Sequence, residues 1–233
     1  MADICDLHGH FLPGIDDGCK VPEESLQVLR ESYSRGIRHM AATPHYYPEK
    51  SVSAFLERRN DAWQRLQPMM DENMPHVFLG AEVAYYPGIC NCPELDSLCL
   101  GNSRYLLLEM PFYRWERSVL RDVQSLCTVK GLTPIIAHIE RYLDIEPKQA
   151  VQELLNMDVL VQMNAENLLG RFDGRSGRKL LKSGVIQFLG SDCHNTTTRP
   201  PNLADGIAVL EKHRMWDILE DLAENSRILL EEI

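Results

Sequence analysis

Short apolar runs alternate with amphipathic helical stretches along most of the chain, and this alternation restricts the folds available to it. A first strand is predicted to end in DLHGH at residues 6–10, and an apolar run at 37–43 follows a helix predicted at 22–35. Further strands are predicted at 77–79, 105–108, 133–137, 159–163 and 185–189. The other predicted helices are 52–72, 115–130, 147–156, 175–183, 203–213 and 214–224. Nearly continuous apolar strands separated by helices indicate a parallel α/β fold.

Seven predicted strands in 233 residues favour a closed barrel over two smaller domains. The expected architecture is therefore a distorted (β/α)7 barrel of the TIM type, formed by a single domain over residues 1–233. The stretch 84–103, which contains two prolines and two glycines, is the one long irregular insertion in this pattern.

The chain is acidic, with a formal net charge of −10 from 24 basic and 34 acidic residues. Binding to nucleic acid or to an acidic membrane surface without sequence specificity depends on basic surface, so this balance argues against both. A phosphate group can still bind to an acidic protein where metal ions supply the local positive charge.

The seven cysteines and the first residues indicate a reducing compartment. Residues 1–6 lack the basic segment and the long apolar run of an export signal. No apolar run reaches the roughly 18 residues of a membrane span. An odd number of cysteines without an export signal is typical of reduced thiols, so the expected location is the cytoplasm.

Side chains that can bind metal ions stand where the predicted strands end. Six segments share this property, namely DLHGH, ATPH, GAE, LLLEM, IIAH and GSDCH. The C-terminal ends of parallel barrel strands form one rim, so these side chains are expected to converge there. The candidates are His8, His10, His45, Glu82, Glu109, His138, Asp192 and His194.

Carboxylates and histidines buried together would destabilise the fold unless cations compensated them. The collective pattern therefore predicts a polynuclear metal site, although each histidine by itself is a weak signal. The remaining histidines, His39, His76 and His213, are interpreted as ordinary structural residues.

The segment GIDDG adds a further candidate ligand, Asp17. The neighbouring Asp16 is interpreted as a turn residue, and Gly14 and Gly18 would free the backbone to bend Asp17 inward. Two interpretations of Asp6 stay open, because it can be a partner of a metal ligand or a plain polar strand residue.

The motifs DLHGH, DDG, TPH, GAE, LLLEM, AHIERY and SDCHNTTTRPP together resemble the polymerase-and-histidinol-phosphatase (PHP) family of metal-dependent phosphoesterases. Within it, GIDDG, AHIERY and SDxHNxxxRPP are most similar to the protein tyrosine phosphatases of bacterial capsule and exopolysaccharide operons. The resemblance extends over residues 3–203.

The resemblance implies three divalent metal ions on the rim of the barrel. By position, it assigns His8, His10, Glu82 and Asp192 to the first ion, Glu82, Glu109 and His138 to the second, and Asp17, His45 and His194 to the third. Mixed imidazole and carboxylate ligands suit manganese, iron or zinc, and the resemblance to the capsule enzymes favours manganese.

The resemblance also implies that Arg141 and Arg199 contact the phosphate, as planar donors that match its oxygens. Three divalent cations would outweigh the four carboxylates of the site, so the pocket would attract a phosphate dianion. The predicted reaction is in-line attack by a metal-activated hydroxide without a phosphoenzyme intermediate. The implied substrate is a phosphotyrosine protein, in particular the tyrosine-rich tail of a bacterial kinase that controls polysaccharide export.

Four alternatives stay open at this point. A thiol mechanism has one C-x5-R match, Cys193 to Arg199, but without the glycines of a phosphate-binding loop. A PHP phosphatase for a small metabolite such as histidinol phosphate has the same ligand types. An amidohydrolase also begins with H-x-H, but no lysine stands at a predicted strand end. The last alternative is a module that binds phosphotyrosine without turnover.

Overall fold

The computed structural model describes residues 3–170 and 173–233, in which helices and strands alternate as the apolar runs predict. The α-helices are α1 (Pro22–Ser34), α2 (Val52–Leu66), α3 (Arg117–Thr128), α4 (Lys148–Leu155), α5 (Asp173–Lys182), α6 (Leu203–Lys212) and α7 (Trp216–Glu232). The strands are β1 (His39–Ala42), β2 (His45–Tyr46), β3 (His76–Leu79), β4 (Glu82–Ala84), β5 (Tyr105–Glu109), β6 (Thr133–Ile136), β7 (Leu160–Asn164) and β8 (Phe188–Gly190).

All the named strands pair in parallel, which confirms the predicted α/β class. β1 pairs with β3, and the larger sheet has the order β2-β4-β5-β6-β7-β8. The chain passes from β1 to β2 and from β3 to β4 over two residues in each case, so the first pairing continues into the larger sheet. The register pairs His45 with Glu82, so the first residues of β2 and β4 lie side by side.

Residues 4–10 do not form a regular strand, so the predicted first strand is wrong in this respect. The segment makes two isolated parallel bridges instead, Asp6 with Met40 and Gly9 with Cys193. The N–H of His10 donates to the Cys193 oxygen at 2.8 Å. The backbone at Asp192 has a φ of 53°, outside the strand region, so a continuous ladder cannot form on this side.

Three elements differ most from their predicted bounds. α2 ends at Leu66 rather than at 72, because Pro68 lacks an N–H and a short 3-10 helix, Gln67–Met69, follows. α7 continues to Glu232 rather than ending at 224, because buried side chains recur past that point at helical spacing, at Ser226 and Leu229. The last strand, predicted at 185–189, is the shorter and later β8.

The irregular stretch 84–103 contributes to the core. It contains two short 3-10 helices, Ile89–Asn91 and Leu95–Leu98. The side chains of Ile89, Leu95 and Leu98 are completely buried, and the first of these helices packs against α3. Burial of large apolar side chains stabilises the fold by about 1.5–3 kcal/mol each, so these side chains anchor the insertion in the core.

α3 illustrates how the sequence determines the helices around the sheet. Val119, Leu120, Val123 and Leu126 recur at helical spacing and are buried, whereas the opposite side of this helix is polar. Among the helices of residues 3–170 and 173–233, none is both long and apolar enough to span a bilayer.

Candidate metal centre

Imidazole and carboxylate groups from seven segments of the chain meet at one edge of the parallel strands. His45 begins β2, Glu82 begins β4 and Glu109 ends β5, while His138 follows β6 and Asp192 follows β8. His8 and His10 come from the N-terminal segment, Asp17 from the loop after it, and His194 from the loop after β8. The predicted convergence of these side chains on one rim is therefore observed.

Four ligand atoms form the most compact part of the cluster. Nε2 of His8 and Nε2 of His10 are 3.2 Å apart, and they lie 3.3 Å and 3.2 Å from Oε2 of Glu82. The same nitrogens lie 3.6 Å and 3.4 Å from Oδ1 of Asp192. Ligand atoms at about 2.1 Å from a shared cation are about 3.4 Å apart at tetrahedral angles, so this spacing fits one metal ion.

Hydrogen bonds determine which nitrogens can bind a cation. The main-chain N–H of His138 donates to Oε1 of Gln162 at 2.7 Å, which identifies this atom as an acceptor. Nδ1 of His8 lies 3.2 Å from the same oxygen and is therefore its donor. Nδ1 of His10 lies 2.9 Å from Oδ2 of Asp16. Both histidines therefore donate through Nδ1, and their Nε2 lone pairs face each other across the cluster. Such an arrangement needs a proton or a cation between the nitrogens.

Glu82 is the central carboxylate of the cluster. Its Oε1 lies 2.9 Å from Nε2 of His138, and its Oε2 lies 2.9 Å from Nδ1 of His45. Oε1 of Glu109 lies 3.5 Å from Nε2 of His138. Oε2 of Glu82 and Nδ1 of His45 are buried without a hydrogen bond, although they are in contact. Unpaired buried ligand atoms at this distance fit a bound cation, because such atoms are otherwise costly to bury.

A further group of ligand atoms includes the exposed side chain of Asp17. Oδ1 of Asp17 lies 3.5 Å from Nε2 of His45 and 3.2 Å from Nε2 of His194. His10, Asp17, His45 and His194 can together offer ligand atoms to one ion. Among residues 3–170 and 173–233, two other groups share this property: His8, His10 and Glu82, and His45, Glu82 and Glu109.

These groups overlap with the three ligand sets that the resemblance implies, but they are not identical to them. His10 joins Asp17, His45 and His194, and His45 takes the place of His138 beside Glu82 and Glu109. The assignment of each residue to a particular ion therefore stays a prediction.

The electrostatics of the cluster follow from burial and from the facing charges. Burial alone would raise the pKa of Glu82, but the charge of His8 and the close contacts of the other histidines hold it well below its usual range. Burial alone would lower the pKa of His10, but Asp16 and Glu82 raise it to about 10. Protons thus stabilise the carboxylates when cations do not, and metal binding would displace them.

Two backbone conformations in the cluster are unusual. His138 has a φ of 33° and Asp192 a φ of 53°, both in the left-handed region that non-glycine residues seldom adopt. Strain of this kind is concentrated at functional sites, where surrounding contacts maintain it. These two strained residues supply two side chains of the cluster.

Both candidate phosphate ligands lie at the edge of the cluster. Nη2 of Arg141 and Nη2 of Arg199 contact the same oxygen of Asp192, at 2.6 Å and 2.7 Å. Nη1 of Arg199 also lies 2.7 Å from Nε2 of His194. Burial, together with His10 and Arg199, lowers the pKa of His194 to about 4, which keeps this imidazole neutral. Arg199 thus occupies the lone pair that His194 would offer to a cation.

Sequence reasoning missed a chain of buried amides beside the cluster. Gln162, at the middle of β7, contacts His8 and His138, and its Nε2 donates to Oδ1 of Asn164 at 2.9 Å. Asn164 in turn donates to Oδ2 of Asp192 at 2.9 Å. Gln162 and Asn164 stand two residues apart on a strand, and this same-face spacing was the available signal.

Two aspartates near the N-terminus accept hydrogen bonds that support the cluster. Oδ2 of Asp16 accepts from Nδ1 of His10 and from the N–H of His45, and Oδ1 accepts from the N–H of Gly18. Asp16 is therefore a turn residue, as predicted, and in addition it orients His10. Oδ1 of Asp6 accepts from the N–H of Ser191 at 2.9 Å, so it supports the turn before Asp192.

The structure argues against the thiol mechanism. Cys193 is completely buried, and burial raises the pKa of its thiol well above the usual value, whereas a nucleophilic cysteine needs a lowered one. The N–H groups of Thr197, Thr198 and Arg199 all donate to Oδ1 of Asn195, so they cannot bind a phosphate. The loop from 193 to 199 is occupied by its own hydrogen bonds.

The fold and this site define a parallel α/β protein with a candidate polynuclear metal centre at the ends of its strands. The sequence model of one family, "Capsular polysaccharide synthesis, CpsB/CapC", matches residues 4–231. The chain belongs to this family, which confirms the resemblance to the phosphatases of capsule operons.

Characterised relatives carry names consistent with that resemblance. The chain is 30% identical over 236 residues to the tyrosine-protein phosphatase YwqE of Bacillus subtilis, covering 97% of this chain and 91% of the relative. It is 29% identical over 225 residues to the tyrosine-protein phosphatase CpsB of Streptococcus agalactiae serotype III, covering 89% of each.

Solved structures also resemble this chain. One match comes from the crystal structures of YwqE from Bacillus subtilis and CpsB from Streptococcus pneumoniae, described as unique metal-dependent tyrosine phosphatases. Its TM-score is 0.81 at 28% identity, covering 98% of this chain and 95% of that one. An inactive dihydroorotase-like domain of a Chaetomium thermophilum protein matches with a TM-score of 0.54 at 10% identity, which indicates a similar fold only.

Proposed function

We propose that this protein is a metal-dependent phosphomonoester hydrolase that removes phosphate from phosphotyrosine in proteins. The observation that carries the proposal is the compact set of ligand atoms around Glu82, with two arginines at its edge. The names of the relatives support the phosphotyrosine substrate. The proposed substrate in the cell is the tail of a bacterial tyrosine kinase that regulates polysaccharide synthesis or export.

The metal centre of this proposal consists of three divalent ions, most favourably manganese, with iron or zinc as alternatives. The proposed ligands are His8, His10, Asp17, His45, Glu82, Glu109, His138, Asp192 and His194. When bound, the cations would supply Lewis acidity and lower the pKa of water to about 7. Hydrogen bonds from His8 to Gln162 and from His10 to Asp16 support this role, because they orient Nε2 inward.

In the proposed reaction, Arg141 and Arg199 hold the phosphate and balance the charge on its oxygens. Both guanidinium groups are accessible, since 37% and 38% of the two side chains are exposed. Their shared contact, Oδ2 of Asp192, keeps both groups at the pocket and aligned with each other. Asn164 steadies the same oxygen from the buried side.

We also propose that the complete architecture is a single domain with a distorted (β/α)7 barrel. The support comes from the segment 4–10, which bonds to β1 on one side and to the chain after β8 on the other. A cytoplasmic location belongs to the same proposal. It is supported by the seven free thiols of the chain, which suit a reducing environment.

The proposal is tested by the hydrolysis of a phosphotyrosine peptide after metal removal and after addition of manganese. We expect His138→Ala and Asp192→Asn to lose activity by about a hundredfold or more, because each removes a proposed ligand. His76→Ala and Asp61→Asn are matched controls, since both side chains are exposed and outside the cluster. Full activity of the two site variants would refute the assignment.

The same assay separates the remaining alternatives. A protein that binds the phosphotyrosine peptide without releasing phosphate would be a binding module. A metabolite phosphatase would hydrolyse histidinol phosphate with a higher kcat/KM than the peptide. A thiol enzyme would lose activity to iodoacetamide and keep it in chelator, and the buried Cys193 favours the opposite result.

A further inference from the structure

Two exposed aromatic rings stack on histidines of the metal cluster from its outer side. The ring of Tyr47 lies 5.4 Å from that of His45 with an angle of 26° between the planes. The ring of Phe112 lies 6.0 Å from that of His138 with an angle of 22°. Tyr47 and Phe112 are 47% and 52% exposed, so packing in the core does not account for their positions.

The two rings stack on histidines that share one carboxylate. Their partner histidines contact opposite oxygens of Glu82, His138 at Oε1 and His45 at Oε2, each at 2.9 Å. Tyr47 and Phe112 are therefore each linked through one histidine to the same carboxylate, at its two different oxygens.

Phe112 is held in place from the inside. Its ring lies 5.4 Å from that of the buried Tyr142, which lies 5.5 Å from the ring of Trp115. The N–H of Trp115 donates to Oε1 of Glu146 at 2.7 Å, and its indole N–H donates to the oxygen of Pro111 at 3.1 Å. One face of the Phe112 ring is thus supported by the core, while the rest is open to solvent. A ring fixed in this way can contact a ligand at little entropic cost.

We infer that Tyr47 and Phe112 form the two walls of a slot that binds the aromatic ring of the substrate while its phosphate lies on the metal cluster. This inference rests on the proposed function and adds the residues that select an aryl phosphate. The short alkyl group of a phosphoserine cannot reach between the walls in the same way. Contact between aromatic rings strengthens binding by about twofold to tenfold per ring.

The test measures binding of phenylphosphonate and methylphosphonate to the manganese-supplemented protein by calorimetry, at a pH at which both are dianions. Neither compound has a phosphate ester bond, so the comparison does not depend on turnover. We expect phenylphosphonate to bind more tightly, and Tyr47→Ala and Phe112→Ala each to reduce this preference by about twofold to tenfold. Tyr47→Phe should keep the preference, because it retains the ring.

Tyr113→Ala is the matched control for this experiment. Tyr113 is 56% exposed and adjoins Phe112 in sequence, but within residues 3–170 and 173–233 its ring stacks on no histidine. Equal binding of the two phosphonates, or an unchanged preference in the double variant Tyr47→Ala/Phe112→Ala, would overturn the slot. If the slot variants behave as expected but the protein hydrolyses no phosphotyrosine peptide, the slot stands and the proposed function fails.

Discussion

At the scale of single residues, the most informative side chains are those that orient a ligand without being one. Asp16 and Gln162 accept hydrogen bonds from Nδ1 of His10 and Nδ1 of His8, and so decide which nitrogen of each ring faces the cluster. Burial would raise the pKa of Asp16, but its bonds to His10 and to main-chain N–H groups lower it to about 2. Asp16 is therefore ionised in the folded protein at neutral pH.

Replacement of Asp16 should weaken metal binding although Asp16 is not among the proposed ligands. Asp16→Asn keeps one oxygen but presents an amide N–H to a former donor, so His10 loses its orientation. We expect the affinity for manganese to fall by about tenfold to a hundredfold. Calorimetric titration with manganese measures this, and Asp61→Asn on the exposed face of α2 is the control. An unchanged affinity would show that His10 needs no such partner.

Asp6 should make stability depend on pH. It is completely buried with one oxygen unpaired, and burial raises its pKa from 3.8 to about 6. The folded state therefore holds this proton more tightly than the unfolded state. The cost of burying the charge is complete above pH 6 and absent below 3.8.

Asp6→Asn should therefore raise the free energy of unfolding by roughly 1–3 kcal/mol at pH 8, with the gain fading between pH 6 and pH 4. Thermal unfolding in chelator measures the difference without interference from bound cations. Asp3→Asn is the control, because that side chain is exposed. A variant less stable than the natural protein at pH 8 would mean that the charge of Asp6 is stabilising.

At the scale of elements, the helices and most strands follow from local patterns, but the loops that carry the ligands do not. The loop between His10 and Cys19 is closed by the N–H of Cys19, which donates to the oxygen of His10 at 3.1 Å. Gly14 has the positive φ of 72° that the prediction of a flexible turn requires. Gly18 is needed for a different reason, since a Cβ there would lie 1.7 Å from the oxygen of His10.

Gly18→Ala should accordingly open this loop. The overlap with the main chain of His10 cannot be relieved by a side-chain rotation, so we expect a loss of about 2–4 kcal/mol in the free energy of unfolding. Metal affinity should fall as well, because Asp16 and Asp17 lie in the same loop. Denaturant unfolding and manganese titration measure the two effects.

Gly184→Ala is the control for Gly18→Ala. Gly184 has a φ of 75°, but nothing lies within 4 Å of its Cβ position, so only the backbone strain of about 1–2 kcal/mol is expected. If the two variants lost the same stability, close approach to His10 would not be the reason for a glycine at position 18.

At the scale of the whole molecule, the cluster concentrates negative charge in a chain whose net charge is already −10. Glu82 and Asp192 are nearly completely buried, and the histidines around them need protons or cations to face these carboxylates. Bound cations should therefore stabilise the native state as a whole, since they bind the folded protein and not the separated ligands of the unfolded chain.

Removal of metal ions should lower the melting temperature. At a free metal concentration of about a hundred times the Kd, binding contributes about 2.7 kcal/mol, which corresponds to roughly 5–10 °C for a chain of this size. Calorimetry in chelator and in excess manganese measures the difference. The exposed ligand candidate Asp17 offers a variant, Asp17→Asn, that should reduce the shift, whereas Asp61→Asn should not. Equal melting temperatures in both buffers would refute a stabilising metal centre.

Local sequence patterns determined the class of fold and the location of the site. The alternation of apolar runs and helices determines parallel pairing, because each strand must be covered on both faces. Parallel pairing in turn places all strand ends on one side, so residues as distant as His8 and Asp192 could be predicted to converge. The bounds of α2 and β8 differ from the predicted ones, because Pro68 and the strained turn at Asp192 are effects of single residues.

Only the tertiary structure decided how the ligand atoms group and which neighbours orient them. Distances of about 3 Å between side chains from different strands depend on twist, register and rotamer, none of which is encoded in a short motif. The bonds from His10 to Asp16 and from His138 to Gln162 therefore form only in the folded chain. The same holds for the rings of Tyr47 and Phe112, which stack on histidines. Local patterns act over a few residues, whereas these contacts join segments that meet only in the folded molecule.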